Sequence, residues 1–395
     1  MKNKILILLV ENYSAGGSDK VARILYENLS LKKIHLFINK SNDTSILLSS
    51  KFKDNFQITY YNLITIAELG KYANSKKKFF FLYILLKIFN LIVRYPLFFI
   101  SIIYFYYKFK KINGDLFISN NGGYPGGEYC RSSTIAARLV NLKCFHIIHS
   151  IPTSVFFKPF KHIESLIDNL VDKSSKILCV SNDIKSKLQI TRNIKQNTKV
   201  IHNGIKKEQL KNYVNTDTLR LLNVASLYSL KNQIFLIKVI KKIIDSGYLN
   251  IELHLVGKEE EEGYLDKLKL LAKEYRIEEK IFFHGFTCPY KYYHECDIFV
   301  LSSKTEGFPM VTLESMSIGM PVISVDVGGV REQIIDNYNG FLLNNYNIND
   351  FAQKVLFFYS KRENIEILGK NAYKYFLENF TIDKMIENYN KELGE

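Results

Sequence analysis

Short, almost unbroken apolar runs recur along the chain, each closed by polar turn residues. Residues 5–10, 34–38, 116–119, 145–149 and 177–180 have this pattern. Runs that are apolar at consecutive rather than alternate positions predict strands buried on both faces, as in parallel sheets. Between them, residues 20–31 and 163–172 repeat their apolar positions every three or four residues and predict helices. After residue 203 the rhythm restarts. Residues 219–225, 251–256, 281–283, 298–301 and 322–325 predict a second strand set, with helices over 232–246, 263–275, 310–318 and 351–358. Strand and helix alternating in this way imply doubly wound α/β sheets. Two such sets predict two domains, residues 1–200 and 201–376, and residues 377–395 read as a closing helix that returns to the first domain. Asn203-Gly204 is a turn dipeptide and suits a hinge between them.

Residues 76–111, KKKFFFLYILLKIFNLIVRYPLFFISIIYFYYKFKK, break the pattern. They are apolar almost all round, rich in Phe and Tyr, and basic at both ends. Arg94 and Pro96 divide them, and neither piece reaches the roughly 18–20 uncharged residues of a spanning helix. A helix lying in a membrane interface and a pair of helices buried in the first domain both fit. The N-terminal MKNKILILLVEN, with its early acidic residue, reads as a first buried strand rather than a secretory leader.

At 395 residues the chain has room for both domains. Its 54 Lys and Arg against 39 Asp and Glu favour an anionic partner, or else a solvated basic surface. Five cysteines without paired spacing suit a reducing compartment. No zinc spacing, D-x-D or H-E-x-x-H is present, which predicts no metal and no cofactor. No nucleic-acid module accompanies the basic runs, so nucleic acid is not expected as a partner.

Candidate chemistry centres on EGFPMVTLESMSIGMPVIS, residues 306–324. Gly307, Phe308 and Pro309 form a turn at a strand end, and Pro309 opens a helix that Gly319 stops. That helix start lies where open α/β sheets bind ligands, and the amides of Met310 and Val311 would face a phosphate. Glu306 before the turn and Glu314 one helical turn beyond the start can accept hydrogen bonds from hydroxyls on either side of it. Both also fit ordinary surface carboxylates around a capped helix.

The stretch resembles the E-x7-E signature of retaining glycosyltransferases of family 4. Matches in the same order cover nearly the whole chain: Gly16-Gly17, Asn203-Gly204-Ile205, Lys231-Asn232, Gly257, His284-Gly285-Phe286, the Glu306 to Glu314 stretch, and GGVREQI with Glu332 and Gly340. The resemblance implies the GT-B fold, two facing Rossmann-like α/β domains with a cleft between them. It implies metal-independent transfer of a sugar, with retained configuration, from a nucleotide-sugar to a hydroxyl acceptor. Glu306 and His149 would position the sugar and Lys231 the diphosphate, with Glu314 on the ribose. Gly16, Gly17, Gly257, Gly285 and Phe286 would complete the donor site. Ser226 stands where many members carry an Arg, which puts its phosphate contact in doubt. His149, at a strand end, matches the family's acceptor-side histidine. The loop 120–127, with Asn121 and Tyr124, is a candidate acceptor contact. With the aromatic segment, these features lead to a lipid-linked or oligosaccharide acceptor, peripheral membrane association, and a place at the inner face of the cytoplasmic membrane in surface polysaccharide assembly. A catalytically silent sugar-nucleotide sensor or scaffold and a nucleotide-sugar epimerase stay open. A nicotinamide oxidoreductase fits worse, since AGGSDK lacks G-x-G-x-x-G.

Overall fold

A computed structural model describes residues 2–11, 16–41, 47–48, 52–155, 158–214 and 216–394. The chain divides into two compact units, Met1–Ile201 with Ile386–Glu395, and His202–Met385.

In the first unit the elements run β1 (Ile5–Glu11), α1 (Gly17–Asn28), β2 (Lys33–Asn39), β3 (Phe56–Tyr61), α2 (Ile66–Ser75), α3 (Phe80–Ile112), β4 (Leu116–Asn121), α4 (Glu128–Leu139), β5 (Lys143–Ile148), α5 (Lys161–Ser174), β6 (Lys176–Cys179), α6 (Asn182–Arg192) and β7 (Thr198–Val200). The seven strands form one parallel sheet in the order β3-β2-β1-β4-β5-β6-β7. Order reverses at β1 and β4, the place where such sheets open a crevice at their carboxyl edge. Ile7, Leu9 and Phe117 from the strands pack against Phe105 and Phe109 of α3.

The second unit contains β8 (Leu219–Val224), α7 (Gln233–Asp245), β9 (Ile251–Val256), α8 (Tyr264–Glu274), β10 (Ile281–Phe283), α9 (Tyr290–Glu295), β11 (Ile298–Leu301), α10 (Met310–Met316), β12 (Val322–Val325), β13 (Gly340–Leu343), α11 (Ile348–Ser360), α12 (Glu363–Asn379) and the start of α13 (Ile382–Gly394). Its six strands are parallel in the order β10-β9-β8-β11-β12-β13. The fold is therefore two parallel-sheet α/β domains, as the strand pattern predicts.

Four expectations change. Residues 76–111 do not split at Arg94 and Pro96, because α3 is one 33-residue helix with Pro96 inside it. An internal proline costs about 3 kcal/mol. Burial of Phe98, Phe105 and Phe109, each contributing about 2 kcal/mol, offsets that cost. By length and composition α3 is long enough to cross a membrane. Its C-terminal half is fastened into the sheet core, however, and residues 80–93 alone fall short of the roughly 18–20 residues of a span. Nor is it a buried pair of helices: Phe81, Leu85, Ile88, Ile92, Phe99, Ile103 and Tyr107 form an exposed apolar stripe along it.

The loop expected over 120–127 begins later, since Asn120 and Asn121 end β4 and are fully buried. Asn203-Gly204 makes no tight turn. Ile205 bridges Thr381, and a side chain at Gly204 would meet the Thr381 carbonyl at 2.3 Å, so close approach explains the glycine. The closing segment is the end of α12 followed by α13. Within α13, Tyr389 and Leu393 are buried, and Glu392 pairs with Lys176 and, at 3.6 Å, with Lys199 of the first unit.

Candidate active site

In the second unit the turns after β8 and β11 meet. Ser302 Oγ donates to the Lys231 carbonyl at 2.9 Å, and the Lys304 amide donates to the Leu230 carbonyl at 2.8 Å. These bonds set Lys231 opposite Glu306, and its Nζ donates to Glu306 Oε1 at 2.6 Å. Both side chains are largely buried. Burial alone would lower the Lys231 pKa, but the charge and hydrogen bond of Glu306 outweigh it and hold the ammonium above its ordinary range. Two residues that the sequence singles out 75 positions apart are thus one ion pair.

The turn is shaped from beneath by the segment after β12. Gly328 has φ +58°, and a Cβ there would lie 1.8 Å from the Glu306 carbonyl oxygen, so only glycine fits. The Gly329 amide donates to the Gly307 carbonyl at 3.1 Å, and Gln333 Nε2 donates to the Pro309 carbonyl at 3.0 Å. Phe308 is buried, its ring stacked 4.9 Å from that of His202. Its side chain supports the turn instead of lining an open site. His202 is held in turn by Glu332 at 2.9 Å.

Past Pro309, α10 is seven residues long, carrying Met310, Val311 and Glu314. It ends at Met316, before the expected residue 318, where Gly319 with φ +82° lets the chain fold back against Leu210 and Tyr213. Glu314 Oε2 accepts from the hydroxyl of Tyr293 at 2.9 Å, and the same hydroxyl lies 3.3 Å from the Val311 carbonyl. Tyr293 is buried on α9. Burial first, and the Glu314 charge second, raise its pKa far above the usual phenol, so it stays a donor.

On the other flank, the Gly257 amide donates to the Gly285 carbonyl at 2.9 Å. A Cβ on Gly257 would meet the Ala225 carbonyl at 1.9 Å, so the ends of β8, β9 and β10 close up around glycine. Gly285 has φ +65° and Phe286 projects into solvent, 87% exposed. Ser226 Oγ donates to Glu260 at 2.9 Å, and its hydroxyl is thereby committed to a carboxylate. Glu261 accepts from the Ser229 amide at 2.7 Å, so the acidic loop after β9 folds over the turn that carries Lys231.

The first unit holds the remaining candidates. Gly16 precedes α1, and its amide is taken by Asp19 Oδ2 at 2.9 Å. Its φ of −164° is open to any residue, and Gly17 is the first residue of the helix. His149 follows β5, and its Nε2 lies 3.0 Å from Asn120 Oδ1, which also accepts from Tyr26 Oη at 3.2 Å. An amide oxygen only accepts, so the imidazole proton sits on Nε2. Nδ1 is a buried acceptor without a partner. Burial lowers the His149 pKa to about 4 and keeps the ring neutral at pH 7. Asn121 and Tyr124 do not form an acceptor-facing loop. Asn121 donates to the Pro125 carbonyl and accepts from the Gly127 amide, while Tyr124 is buried and donates to Asp168 at 2.7 Å.

Residues 204–375 match the family described as Glycosyl transferases group 1. The matched residues fall within the second unit. An uncharacterized glycosyltransferase of Methanocaldococcus jannaschii is 33% identical over 230 residues, 56% of this chain and 60% of its own. A capsular polysaccharide biosynthesis glycosyltransferase, CapM of Staphylococcus aureus, is 25% identical over 217 residues, 51% of this chain and 56% of its own. The chain thus spans a little over half the length of these curated relatives. A solved structure of Anabaena HepE in complex with UDP shares the fold, with a TM-score of 0.77 and 16% identity over 98% of this chain and 99% of that one. The matched residues include Lys231, Glu306 and Glu314; His149 and His202 lie outside them.

Proposed function

We propose that the chain transfers a sugar from a nucleoside diphosphate sugar to a hydroxyl of a saccharide acceptor, with retained anomeric configuration and without a metal. The observation that carries this reading is the buried Lys231–Glu306 pair at the carboxyl edge of the second sheet. An ammonium has three donors, so Lys231 can keep Glu306 while it donates to a departing diphosphate. Glu306 has a second carboxylate oxygen for a sugar hydroxyl, and Glu314 is held for a ribose hydroxyl. No side chain is asked to form a covalent intermediate. The protein's share is position and charge, with the leaving phosphate oxygen taking the acceptor proton.

Relatives in surface polysaccharide assembly support a saccharide acceptor. The exposed stripe of α3 and the basic clusters at its ends support a lipid-linked one, reached from the cytoplasmic face of the membrane. Nucleotide release from UDP-, GDP- and ADP-sugars, with and without membrane extract as acceptor, tests the function. Release stimulated by acceptor is expected for one donor, and Glu306→Gln lowers it about 100-fold while the matching nucleotide still raises the melting temperature. Full activity in Glu306→Gln refutes the assignment. Donor binding without turnover in the wild type favours a silent sensor.

A further inference from the structure

The first unit contains a cavity of about 190 Å³ beside the middle of α3. Arg94 and Tyr95 of α3 form one wall, Thr153 and Ser154 after β5 another, and Arg131 and Arg192 line it as well. Its carboxylates are already engaged. Glu164 is bound by Arg131 at 2.8 Å and Arg192 at 3.2 Å, and Glu128 accepts the amides of Ile66 and Ala67 at the start of α2. Two features are left over. Arg94 is an exposed cation with no ion pair among the described residues, and the buried Arg192 has an Nε–H without a partner.

The cavity sits against an apolar track. Phe80, Ile84 and Leu91, exposed on the same helix face as Arg94 and Tyr95, lead toward Arg94. A cationic, donor-rich hole at the end of an apolar surface is complementary to one kind of molecule, an amphiphile with an anionic head. We infer that this cavity binds the phosphate head of a membrane amphiphile whose hydrocarbon chain lies along the Phe80, Ile84 and Leu91 side of α3. The inference rests on the proposed use of a lipid-linked acceptor and identifies where its phosphate is held.

The test is calorimetric titration of the full chain with dodecyl phosphate below its critical micelle concentration. Dodecyl maltoside and inorganic phosphate serve as controls, and binding of the nucleotide selected by the donor screen is measured in parallel. Dodecyl phosphate is expected to bind about tenfold more tightly than either control. Arg94→Gln weakens it about tenfold, and Ser154→Trp, at an exposed position on the cavity wall, abolishes it. Nucleotide binding is unchanged in both variants, and circular dichroism with an unchanged melting profile reports that the first unit folds. Equal affinity for dodecyl maltoside makes the site merely apolar, and equal affinity for inorganic phosphate makes it a free-phosphate site. Undiminished binding by Arg94→Gln removes the cation from the argument. Each of these results overturns the inference while leaving nucleotide binding, and with it the donor reading, intact.

Discussion

Glu11 is a carboxyl at the end of β1 with 1% of its surface exposed. One oxygen accepts from the Tyr129 amide at 2.8 Å, and the other has no partner. Burial, opposed by that amide and reinforced by nearby Glu128, raises its pKa from the ordinary 4.5 to about 8. A carboxyl whose pKa is higher in the folded chain than in the unfolded one binds the extra proton when folded. Its contribution is therefore fully present below pH 4.5 and is lost as pH rises toward 8. At 1.36 kcal/mol per pH unit the loss at pH 7 is about 3 kcal/mol, and above pH 8 roughly 5 kcal/mol. Glu11→Gln keeps the shape and the acceptor for Tyr129 and removes the titration. Urea unfolding of the two proteins by far-ultraviolet circular dichroism, at intervals from pH 4.5 to 9, isolates the effect in their difference. The variant should match the wild type near pH 4.5 and exceed it progressively to pH 8, where the gap levels off. Parallel profiles across that range would refute the burial argument.

Two further outcomes follow from the site and from α3. Tyr293→Phe removes only the hydroxyl that holds Glu314. It should raise KM for the nucleotide donor about tenfold with kcat changed by less than about twofold; a fall in kcat alone would mean that Tyr293 serves another purpose. Changing the exposed Phe81, Leu85 and Ile92 to Ser should abolish flotation with anionic vesicles without lowering the melting temperature, because none is in the core. Each loses on the order of 1.5 kcal/mol of membrane burial. Equal flotation of variant and wild type would remove the membrane from the account.

Strands such as β5 and β12 were legible because burial on both faces leaves a continuous apolar signature. β3, with only Tyr61 buried, and β7, three residues long, carry too little of that signature. α4 was hidden for the opposite reason. Its EYCRSSTIAARL reads as polar, yet Ser132, Ser133 and Thr134 are buried because their hydroxyls donate to carbonyls one turn back. Thr65 and Glu68 form a capping box before α2, a sequence signal that would have placed that helix. In the site, Lys231 and Glu306 could be picked out from their motifs. Tyr293, His202 and Gly328 act through contacts between segments whose proximity depends on the fold, and no local spacing announces them. Asn121 and Tyr124 misled because Asn-Gly and Tyr-Pro-Gly signal a turn without indicating that the polar atoms beside it face inward.

The last helix has a consequence for synthesis. Residues 386–394 belong to the first unit, where Tyr389 and Leu393 are enclosed and Glu392 meets Lys176. On the ribosome, the amino-terminal sheet must therefore wait, incompletely covered, until residues 386–394 have emerged, whereas every strand of the second unit is already available by then. The sheet begun first is thus completed only after the whole of the second unit has been made.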